Sequence, residues 1–305
     1  MNLPTIRQLE YALALGATLS FSKAAQACHV TQPALSAQIK LLEDLLGIPL
    51  FERDRRRVIL TEDGLSLLEQ ARRVVAEART FVEIGRSVRP PLSGSLCMGA
   101  IPTVAPYVLP LVFGRMGQRY PEVELHLREE IGGKITDRLA GGDLDVILLS
   151  LETLPRERYT TLELFEDRFV VAVPAGHPLA EREFVRGEDL RGESVLMLAE
   201  GHCLRDQTLA LCKEFGVRSY DTHRAGSLTT LVRMVGSGLG VTLLPEITVE
   251  LETSRQTLEG VVLVPFSDPS PKRTIGLAWR PGSPRTRDFE LLGEEILGML
   301  VERTS

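Results

Sequence analysis

Two cysteines on one short segment have the residue type and the neighbours best suited to redox chemistry. Cys203 follows an apolar run at 195–198 and Gly201, and a segment with helical spacing of apolar residues comes after it. The pattern predicts a strand, a tight turn and then a helix with Cys203 in its first turn. The first turn of a helix favours a thiolate, and positive charge on His202 and Arg205 would add to that effect. The sequence therefore predicts a reactive thiol at Cys203.

Cys212 lies nine residues after Cys203 and is the second redox candidate. In an unbroken helix the two residues would be roughly 13 Å apart on opposite faces, whereas a disulfide needs Cα atoms within about 7 Å. The two thiols can therefore bond only if the segment between them unwinds, which would couple oxidation to refolding. Two ordinary buried cysteines in an apolar helix are the alternative. The polar neighbours His202, Arg205 and Asp206 favour the switch.

Composition excludes several other classes of protein. The 305 residues are 44% hydrophobic and 25% charged, which is typical of globular chains with two or three domains. The sequence has neither an apolar run long enough to cross a membrane nor the apolar core of a signal peptide, so we expect a cytoplasmic protein. Four cysteines in a reducing compartment argue against structural disulfides, and their spacing fits no zinc site. We expect no metal and no cofactor.

The net charge of −6 hides a difference between the two ends of the chain. Residues 1–90 contain 12 Lys and Arg against 10 Asp and Glu, a balance of +2, which leaves −8 for the rest. No acidic residue occurs between Glu10 and Glu43. Because a carboxylate facing a phosphate would repel it, this window is where a DNA-binding surface fits.

The same window has the pattern of a helix-turn-helix, from about Phe21 to Lys40. A helix over 6–17 is followed by a second over 23–27, capped from the segment 20–22, and then by a third that Thr31 caps. Pro33 lies just inside the third helix, whose expected buried stripe is Leu35, Ile39, Leu42, Leu45 and Leu46. Its opposite, polar face would enter the major groove of double-stranded DNA.

A basic turn and a long helix complete the predicted DNA-binding part. Residues 52–57 link two short strands, the second over 58–60, and form a basic wing along the phosphates; a solvated turn is the alternative for any single arginine. The helix over 61–87 is too long and too polar on one side to bury itself, so it should pair with a second subunit. We expect DNA contacts from Arg7, Thr31, Gln32, Pro33, Ser36, Lys40 and Arg53.

Beyond a hinge at 89–95 the pattern changes to alternating strands and helices. Strands are expected at 96–101, 123–127, 144–149, 169–173, 194–198, 222–225, 241–244, 261–266 and 274–279. This predicts a doubly wound α/β domain with two lobes, crossed near 165–167 and 265–271. The expected domains are a winged helix-turn-helix over 1–63, a linker helix and hinge over 64–91, and a sensor domain over 92–305. Lobe I would comprise 92–165 and 270–305, and lobe II 166–269.

Two motifs resemble a known family. The pattern Ser22-Lys23-Ala24-Ala25, Thr31-Gln32-Pro33-Ala34-Leu35-Ser36, Leu50-Phe51-Glu52-Arg53 and Leu60-Thr61 resembles the LysR winged helix-turn-helix. The motif Gly201-His202-Cys203-Leu204-Arg205-Asp206-Gln207, with Cys212 beyond it, resembles the OxyR group of peroxide-sensing LysR-type regulators.

The resemblance implies a function and its partners. Hydrogen peroxide would oxidise Cys203, Cys212 would resolve the product as a disulfide, and cellular thiols would reset it. The protein would activate oxidative-stress genes as a homotetramer of two dimers that contacts RNA polymerase. Its sensor domain would look like a periplasmic solute-binding protein.

The resemblance also implies a peroxide pocket made of Thr103, His202, Asp206 and Arg273. A hydroxyl, an imidazole and a nearby charge are the groups needed to hold peroxide and protonate its leaving oxygen. A helix cap for Thr103 and a surface cation for Arg273 are the alternatives. One departure stands out: where many family members have a hydroxyl residue, this chain has Ile131-Gly132-Gly133.

Two other functions remain open. An ordinary LysR-type regulator would bind a small carboxylate in the cleft between the lobes and keep both cysteines structural. A thiol peroxidase would use a similar cysteine but needs neither a helix-turn-helix nor a two-lobed sensor, so we expect no enzyme. Cys28 and Cys97 are expected in the core, and the remaining histidines have no metal-site spacing.

Overall fold

The computed structural model describes residues 3–54, 57–86, 90–217, 219–252 and 260–304. Contacts divide the chain into two units, one within Met1–Val88 and Ala140–Asp143 and the other within Arg89–Leu139 and Leu144–Ser305. In the described part of the chain no helix is long and apolar enough to cross a membrane.

The described part of the first unit contains four helices and one hairpin. They are α1 (Ile6–Thr18), α2 (Phe21–Ala27), α3 (Gln32–Leu46), β1 (Phe51–Asp54), β2 (Arg57–Leu60) and α4 (Glu62–Arg86). Side chains cap the first two helices: Thr5 accepts a hydrogen bond from the Gln8 N–H, and Ser20 accepts one from the Lys23 N–H. The predicted order of helices is confirmed.

Helix α3 has the predicted buried side, although two details differ. Leu35, Ile39 and Leu42 are buried, whereas Leu45 and Leu46 are each 37% exposed. The predicted stripe is wrong in its last turn, which lies at the edge of the core just before the helix ends at Gly47. Thr31 occupies the N-cap position, but its side chain makes no capping hydrogen bond.

The hairpin is longer than the sequence predicted. Phe51 pairs with Leu60 and Arg53 with Val58 in an antiparallel ladder. Residues 52–54 and 57, predicted as a linking turn, therefore belong to the strands, because their backbones complete the pairing. The side chain of Arg53 and residues 55–56 lie outside the described residues.

Helix α4 covers 25 residues and confirms the predicted long helix. Leu68, Ala71 and Val75 are buried in the core of the first unit. Val74 and Phe81 are 41% and 78% exposed on the same helix. An apolar face left exposed on a long helix is typical of a surface that packs against another chain.

The second unit alternates strands and helices. Its strands are β3 (Gly94–Ala100), β4 (Val123–Glu129), β5 (Val146–Ser150), β6 (Thr160–Pro174), β7 (Val195–Leu198), β8 (Ser219–Ala225), β9 (Thr242–Pro245), β10 (Val261–Pro265) and β11 (Lys272–Trp279). Its α-helices are α5 (Ala105–Arg119), α6 (Gly132–Ala140), α7 (Cys203–Phe215), α8 (Leu228–Gly236), α9 (Glu246–Glu252) and α10 (Thr286–Thr304). Four short 3₁₀ turns connect some of them: Leu151–Thr153, Arg156–Arg158, Pro178–Glu181 and Gly187–Leu190. All nine predicted strands are present with shifted ends.

The main sheet is mixed, and its longest strand joins two hydrophobic cores. The strand order is β10-β6-β11-β5-β3-β4, with β9 also paired to β6. The first half of β6 pairs with β11 as far as Arg168, and from Phe169 it pairs with β9 and β10. Strands β7 and β8 form a separate parallel pair. We name the part around β3, β4, β5 and β11 lobe I, and the part around β7 to β10 lobe II.

Candidate functional site

A tight turn places Cys203 at the start of α7. Gly201 adopts φ +91°, and a Cβ there would lie 2.8 Å from the Ile131 side chain, so only glycine fits without rearrangement. His202 is the N-cap residue and Cys203 is the first residue of the helix. The predicted strand, turn and helix are confirmed.

The two cysteines of α7 belong to different cores. Cys203 is 7% exposed and packs with the lobe I cluster, whereas Cys212, 2% exposed, packs with the lobe II cluster. Both thiols are free, and the helix between them is unbroken. A rise of about 1.5 Å per residue separates them by roughly 13 Å. Helix α7 therefore lies across the junction of the lobes, with one thiol on each side.

The environment of Cys203 does not favour the thiolate in the way that the sequence suggested. Burial raises the pKa of the Cys203 thiol, a hydrogen bond with Thr153 and the charge of Arg273 lower it, and the charge of Asp206 raises it. Burial also lowers the pKa of His202, so its imidazole is neutral at neutral pH. The expected positive charge on His202 is wrong, because desolvation penalises the charged ring.

Arg273 and Thr103 form a buried network next to this thiol. Arg273 is 1% exposed; its Nε donates to Asp167 Oδ2 at 2.9 Å, and its Nη1 donates to Thr103 Oγ1 at 3.0 Å. Asp167 Oδ1 accepts the Ile247 N–H at 3.0 Å. Because Thr103 Oγ1 accepts from Arg273, its own proton is available to another acceptor. Helix α5 starts after Val104 without a side-chain cap, so neither the cap alternative for Thr103 nor the surface alternative for Arg273 holds.

A cavity of about 440 Å³ lies between the lobes beside this network. Thr103 and Lys134 line it from lobe I, and His202 and Glu252 line it from lobe II. Of the four predicted pocket residues, Thr103 and His202 therefore line the cavity, and Arg273 contacts it through its hydrogen bond to Thr103. Asp206 lies in the first turn of α7 with an exposed side chain and reaches Cys203 only through its charge.

Two buried polar atoms flank Cys203 along α7. His202 Nδ1 and Gln207 Oε1 have no hydrogen-bond partner among the described residues. Buried polar atoms are normally paired, so each of these two atoms has an unmet hydrogen bond, and His202 also lines the cavity. Within the described residues, no group of three or more His, Cys, Asp or Glu side chains is arranged to hold a metal ion.

The candidate DNA-binding residues lie mainly on the surface of the first unit. Thr31, Gln32, Pro33 and Lys40 are exposed and Ser36 is half-buried, on the side of α3 away from its buried leucines. The Ser22 hydroxyl donates to Gln32 Oε1 at 3.1 Å, which ties α2 to α3. Arg7 Nε donates to the Tyr11 hydroxyl at 2.8 Å, so this predicted DNA contact has a partner within α1.

Two family models match the chain. The lysR family bacterial regulatory helix-turn-helix model matches residues 6–65, and the LysR substrate binding domain model matches residues 89–300. The chain is 44% identical to the DNA-binding transcriptional dual regulator OxyR of Escherichia coli K12, over 95% of this chain and 94% of that protein. The chain belongs to the OxyR group of the LysR family. A hydrogen peroxide-inducible genes activator of Haemophilus influenzae is 37% identical, over 95% of each chain.

Solved structures agree with this membership. A cysteine-to-aspartate variant of full-length Pseudomonas aeruginosa OxyR superposes with a TM-score of 0.75 at 34% identity, covering 97% of this chain and 95% of that chain. A cysteine-to-serine variant of Corynebacterium glutamicum OxyR bound to hydrogen peroxide has a TM-score of 0.67 at 31% identity, covering 99% and 94%. The family consists of transcription regulators.

Gly132, the departure from the OxyR pattern, lies directly against the thiol. A Cβ at Gly132 would be 3.0 Å from the Cys203 sulfur and 3.1 Å from the Gly201 carbonyl oxygen. Glycine thus lets the start of α6 approach the sulfur closely. A larger residue at this position would need the neighbouring backbone or the sulfur to move.

Sequence reasoning assigned no role to three residues that support the OxyR-type site from outside the cavity. Asp167 neutralises Arg273, Gln207 lies one helical turn after Cys203, and Ser150 accepts a hydrogen bond from Gln207 Nε2 at 2.5 Å. The spacing of four residues between Cys203 and Gln207 was a usable signal, because it places both on one face of a helix. Cys28 and Cys97, expected in the core, are only partly buried and pack against its edge.

Proposed function

We propose that this chain is a transcription activator of oxidative-stress genes that hydrogen peroxide switches through a reversible Cys203–Cys212 disulfide. One observation carries the proposal: a single helix holds one free thiol in each of the two lobes, and the residue before the first thiol, His202, has a buried Nδ1 with no partner in the described part of the chain. The names of the relatives, hydrogen peroxide-inducible genes activators, support it. We place the protein in the cytoplasm, because the DNA that it binds is there.

The chemistry takes two balanced steps. The Cys203 thiolate attacks one peroxide oxygen, so an S–O bond forms and the O–O bond breaks; the leaving hydroxide takes a proton and departs as water. The Cys212 thiolate then attacks the sulfenic sulfur, so an S–S bond forms and the S–O bond breaks, with a second water leaving. Two thiols are oxidised and one peroxide is reduced. Each switch consumes one peroxide without catalytic turnover.

We assign roles to the pocket residues from their contacts. Arg273 stabilises the thiolate electrostatically, and Thr103, held by Arg273, offers its hydroxyl proton. Neutral His202 supplies a hydrogen-bonding nitrogen next to the sulfur. Asp206, whose side chain is exposed, acts on Cys203 through its charge, which raises the pKa of the thiol and so offsets part of the effect of Arg273. These groups hold the peroxide and protonate the leaving oxygen.

Closing the disulfide must change the junction between the lobes. The two Cα atoms have to approach from roughly 13 Å to within about 7 Å, so α7 unwinds over much of 204–215. Cys203 leaves the lobe I core to reach Cys212 in lobe II. Oxidation therefore alters the packing between the lobes, and cellular thiols reverse it. A mixed disulfide with a small thiol is the alternative end state.

The DNA-binding domain and the linker helix transmit this change in packing to the DNA. We assign DNA contact to residues 1–63, with Arg7, Thr31, Gln32, Pro33, Ser36, Lys40 and Arg53, and dimerisation to 64–91 through α4 and its exposed Phe81. Residues 92–305 form the sensor, with lobe I over 92–165 and 270–305 and lobe II over 166–269. Two dimers form a tetramer, whose DNA spacing changes on oxidation and brings it into contact with RNA polymerase.

Peroxide-dependent transcription tests the proposal. Wild type should gain promoter activation and a changed footprint within seconds of peroxide addition, whereas Cys203→Ser should stay in the reduced pattern. Cys97→Ser is the matched control, because it removes another cysteine of the sensor domain and should respond like wild type. A Cys203→Ser protein that still activates on peroxide would overturn the proposal.

The interlobe cavity supports a second candidate function. Its volume of about 440 Å³ would admit a small-molecule effector, and Lys134 is the cation that could bind a small carboxylate on a lining that also holds Glu129, Glu130 and Glu252. In that case a metabolite, and not peroxide, would change the footprint, and both cysteines would be structural.

A further inference from the structure

A chain of hydrogen bonds ties α7 to lobe I close to Cys203. Gln207 Nε2 donates to Ser150 Oγ at 2.5 Å, and Ser150 Oγ donates to Glu152 Oε2 at 2.6 Å. The other oxygen of Glu152 accepts the Thr274 N–H at 2.7 Å. We call Gln207, Ser150, Glu152 and Thr274 the α7 bridge. It runs from the second turn of α7, past the end of β5, to strand β11.

The α7 bridge holds the part of the helix that must move. Gln207 lies between Cys203 and Cys212, in the segment that has to unwind before the sulfurs can meet. Ser150 is fully buried, so a hydrogen bond lost there is not readily replaced by water. The acceptor at the end is a carboxylate: although burial would raise the pKa of Glu152, hydrogen bonds from Ser150 and Thr274 hold it below its ordinary value. Hydrogen bonds to a charged acceptor are stronger than neutral ones.

The bridge and the thiol itself anchor α7 to lobe I at two adjacent points. Cys203 packs in the lobe I core, whereas Leu204, the next residue, packs in the lobe II core. Thr153, one residue beyond Glu152, also donates to the Ser150 carbonyl oxygen at 2.9 Å, which fixes the 3₁₀ turn that carries the bridge. The first two turns of α7 are thus clamped from the lobe I side.

We propose that Ser150 and Glu152 are positioning residues that hold α7 against lobe I through Gln207 and so set the rate of disulfide closure after Cys203 is oxidised. This inference rests on the proposed function for its chemistry. In the closure step the S–O bond of the Cys203 sulfenic acid breaks, the S–S bond to Cys212 forms, and the displaced hydroxide leaves as water. Neither Ser150 nor Glu152 lines the cavity at Thr103 and His202, so removing either side chain should change the second step and not the first.

Two rates measured separately test this inference. In a Cys212→Ser background, the rate of sulfenic acid formation by peroxide should be the same with and without Ser150→Ala. In the two-cysteine chain, Ser150→Ala should close the disulfide roughly five- to tenfold faster, the ratio that follows from losing the one hydrogen bond, of ordinary strength, between Gln207 on α7 and Ser150. Glu152→Ala should also accelerate closure, and Glu152→Gln, which keeps a carbonyl acceptor, should restore much of the wild-type rate.

Hydrogen exchange of the reduced protein provides a readout without any oxidant. Amides of 204–215 should exchange five- to tenfold faster in Ser150→Ala than in wild type. Ser237→Ala is the matched control, because it removes one exposed hydroxyl that donates to the Arg233 carbonyl at 2.9 Å, on α8. The double variant Ser150→Ala/Glu152→Ala should be no faster than Ser150→Ala, because Glu152 acts through Ser150.

The possible results distinguish a failure of the α7 bridge from a failure of the proposed function. Unchanged exchange and unchanged closure in both Ser150→Ala and Glu152→Ala would overturn the inference. Slower sulfenic acid formation in these variants would also overturn it, because the residues would then act on the first step. If wild type forms no sulfenic acid, the proposed function fails, while faster exchange in Ser150→Ala would still show that the bridge holds α7.

Discussion

The buried pair between Arg273 and Asp167 gives a prediction about the framework of the site. The side chains are each 1% exposed; Arg273 Nε donates to Asp167 Oδ2 at 2.9 Å, and Nη2 lies 2.9 Å from the same oxygen. Asp167→Asn keeps the shape but removes the counter-charge, so Arg273 stays buried without compensation. Removing one member of a buried pair costs about 3 to 5 kcal/mol, and we expect this loss in the free energy of unfolding.

An exposed pair supplies the matched control. Arg168 and Asp268 are 59% and 82% exposed, with 3.5 Å between Nη1 and Oδ1. Exposed pairs of this kind contribute at most about 1 kcal/mol, so Asp268→Asn should change stability little.

Urea unfolding followed by tryptophan fluorescence measures both variants. The chain has one tryptophan, Trp279, which is 2% exposed in the lobe I core. For a slope of about 3 kcal/mol per molar urea, the midpoint of Asp167→Asn should fall by about 1 to 2 M. Equal midpoints for Asp167→Asn and Asp268→Asn would refute the reasoning, because burial would then make no difference to the pair.

Three further predictions concern the thiols and the DNA-binding unit. Burial raises the pKa of Cys212 to about 11, so the folded protein keeps a proton that the unfolded chain releases above its ordinary pKa near 9. The free energy of unfolding should therefore fall by about 1 to 3 kcal/mol between pH 9 and pH 11. Cys212→Ala should flatten this decrease. Parallel curves of stability against pH for the two proteins would contradict the raised pKa of Cys212. Gly132→Ala should slow oxidation of Cys203, because its Cβ would lie 3.0 Å from the sulfur, whereas Gly133→Ala meets no atom within 4 Å and should react like wild type. In anisotropy titrations, Arg53→Ala should weaken binding to all DNA sequences, and the slope of log affinity against log salt concentration should become shallower by about one. An unchanged slope would contradict the assignment of Arg53 to the basic wing.

Much of the fold could be predicted because local signals agree with tertiary packing. The cap from 20–22 and the apolar runs of the strands predicted where most elements begin. The first half of β6 was missed, because its apolar residues alternate with charged ones and only the continuous run at 169–173 was read as a strand. Leu162 and Leu164 were the available signal, and both pack against the lobe I core.

The site residues that belong to one sequence motif could be predicted, whereas contacts that depend on tertiary packing could not. Cys203, His202 and Cys212 stand in one motif, but Asp167 and Arg273 are 106 residues apart, and Ser150 and Gln207 are 57 apart. No local sequence pattern predicts contacts between residues that are so far apart in the chain. The charge of His202 was wrong for the same reason, since burial depends on the neighbours that the fold brings together.

Peptide mass spectrometry of the reduced protein, after brief exposure to about one equivalent of hydrogen peroxide and trapping of free thiols, tests whether Cys203 and Cys212 form the switch. We predict a loss of two hydrogens that maps to a Cys203–Cys212 disulfide, with Cys28 and Cys97 still free. Four free thiols, or a disulfide that involves Cys28 or Cys97, would contradict a switch formed by Cys203 and Cys212.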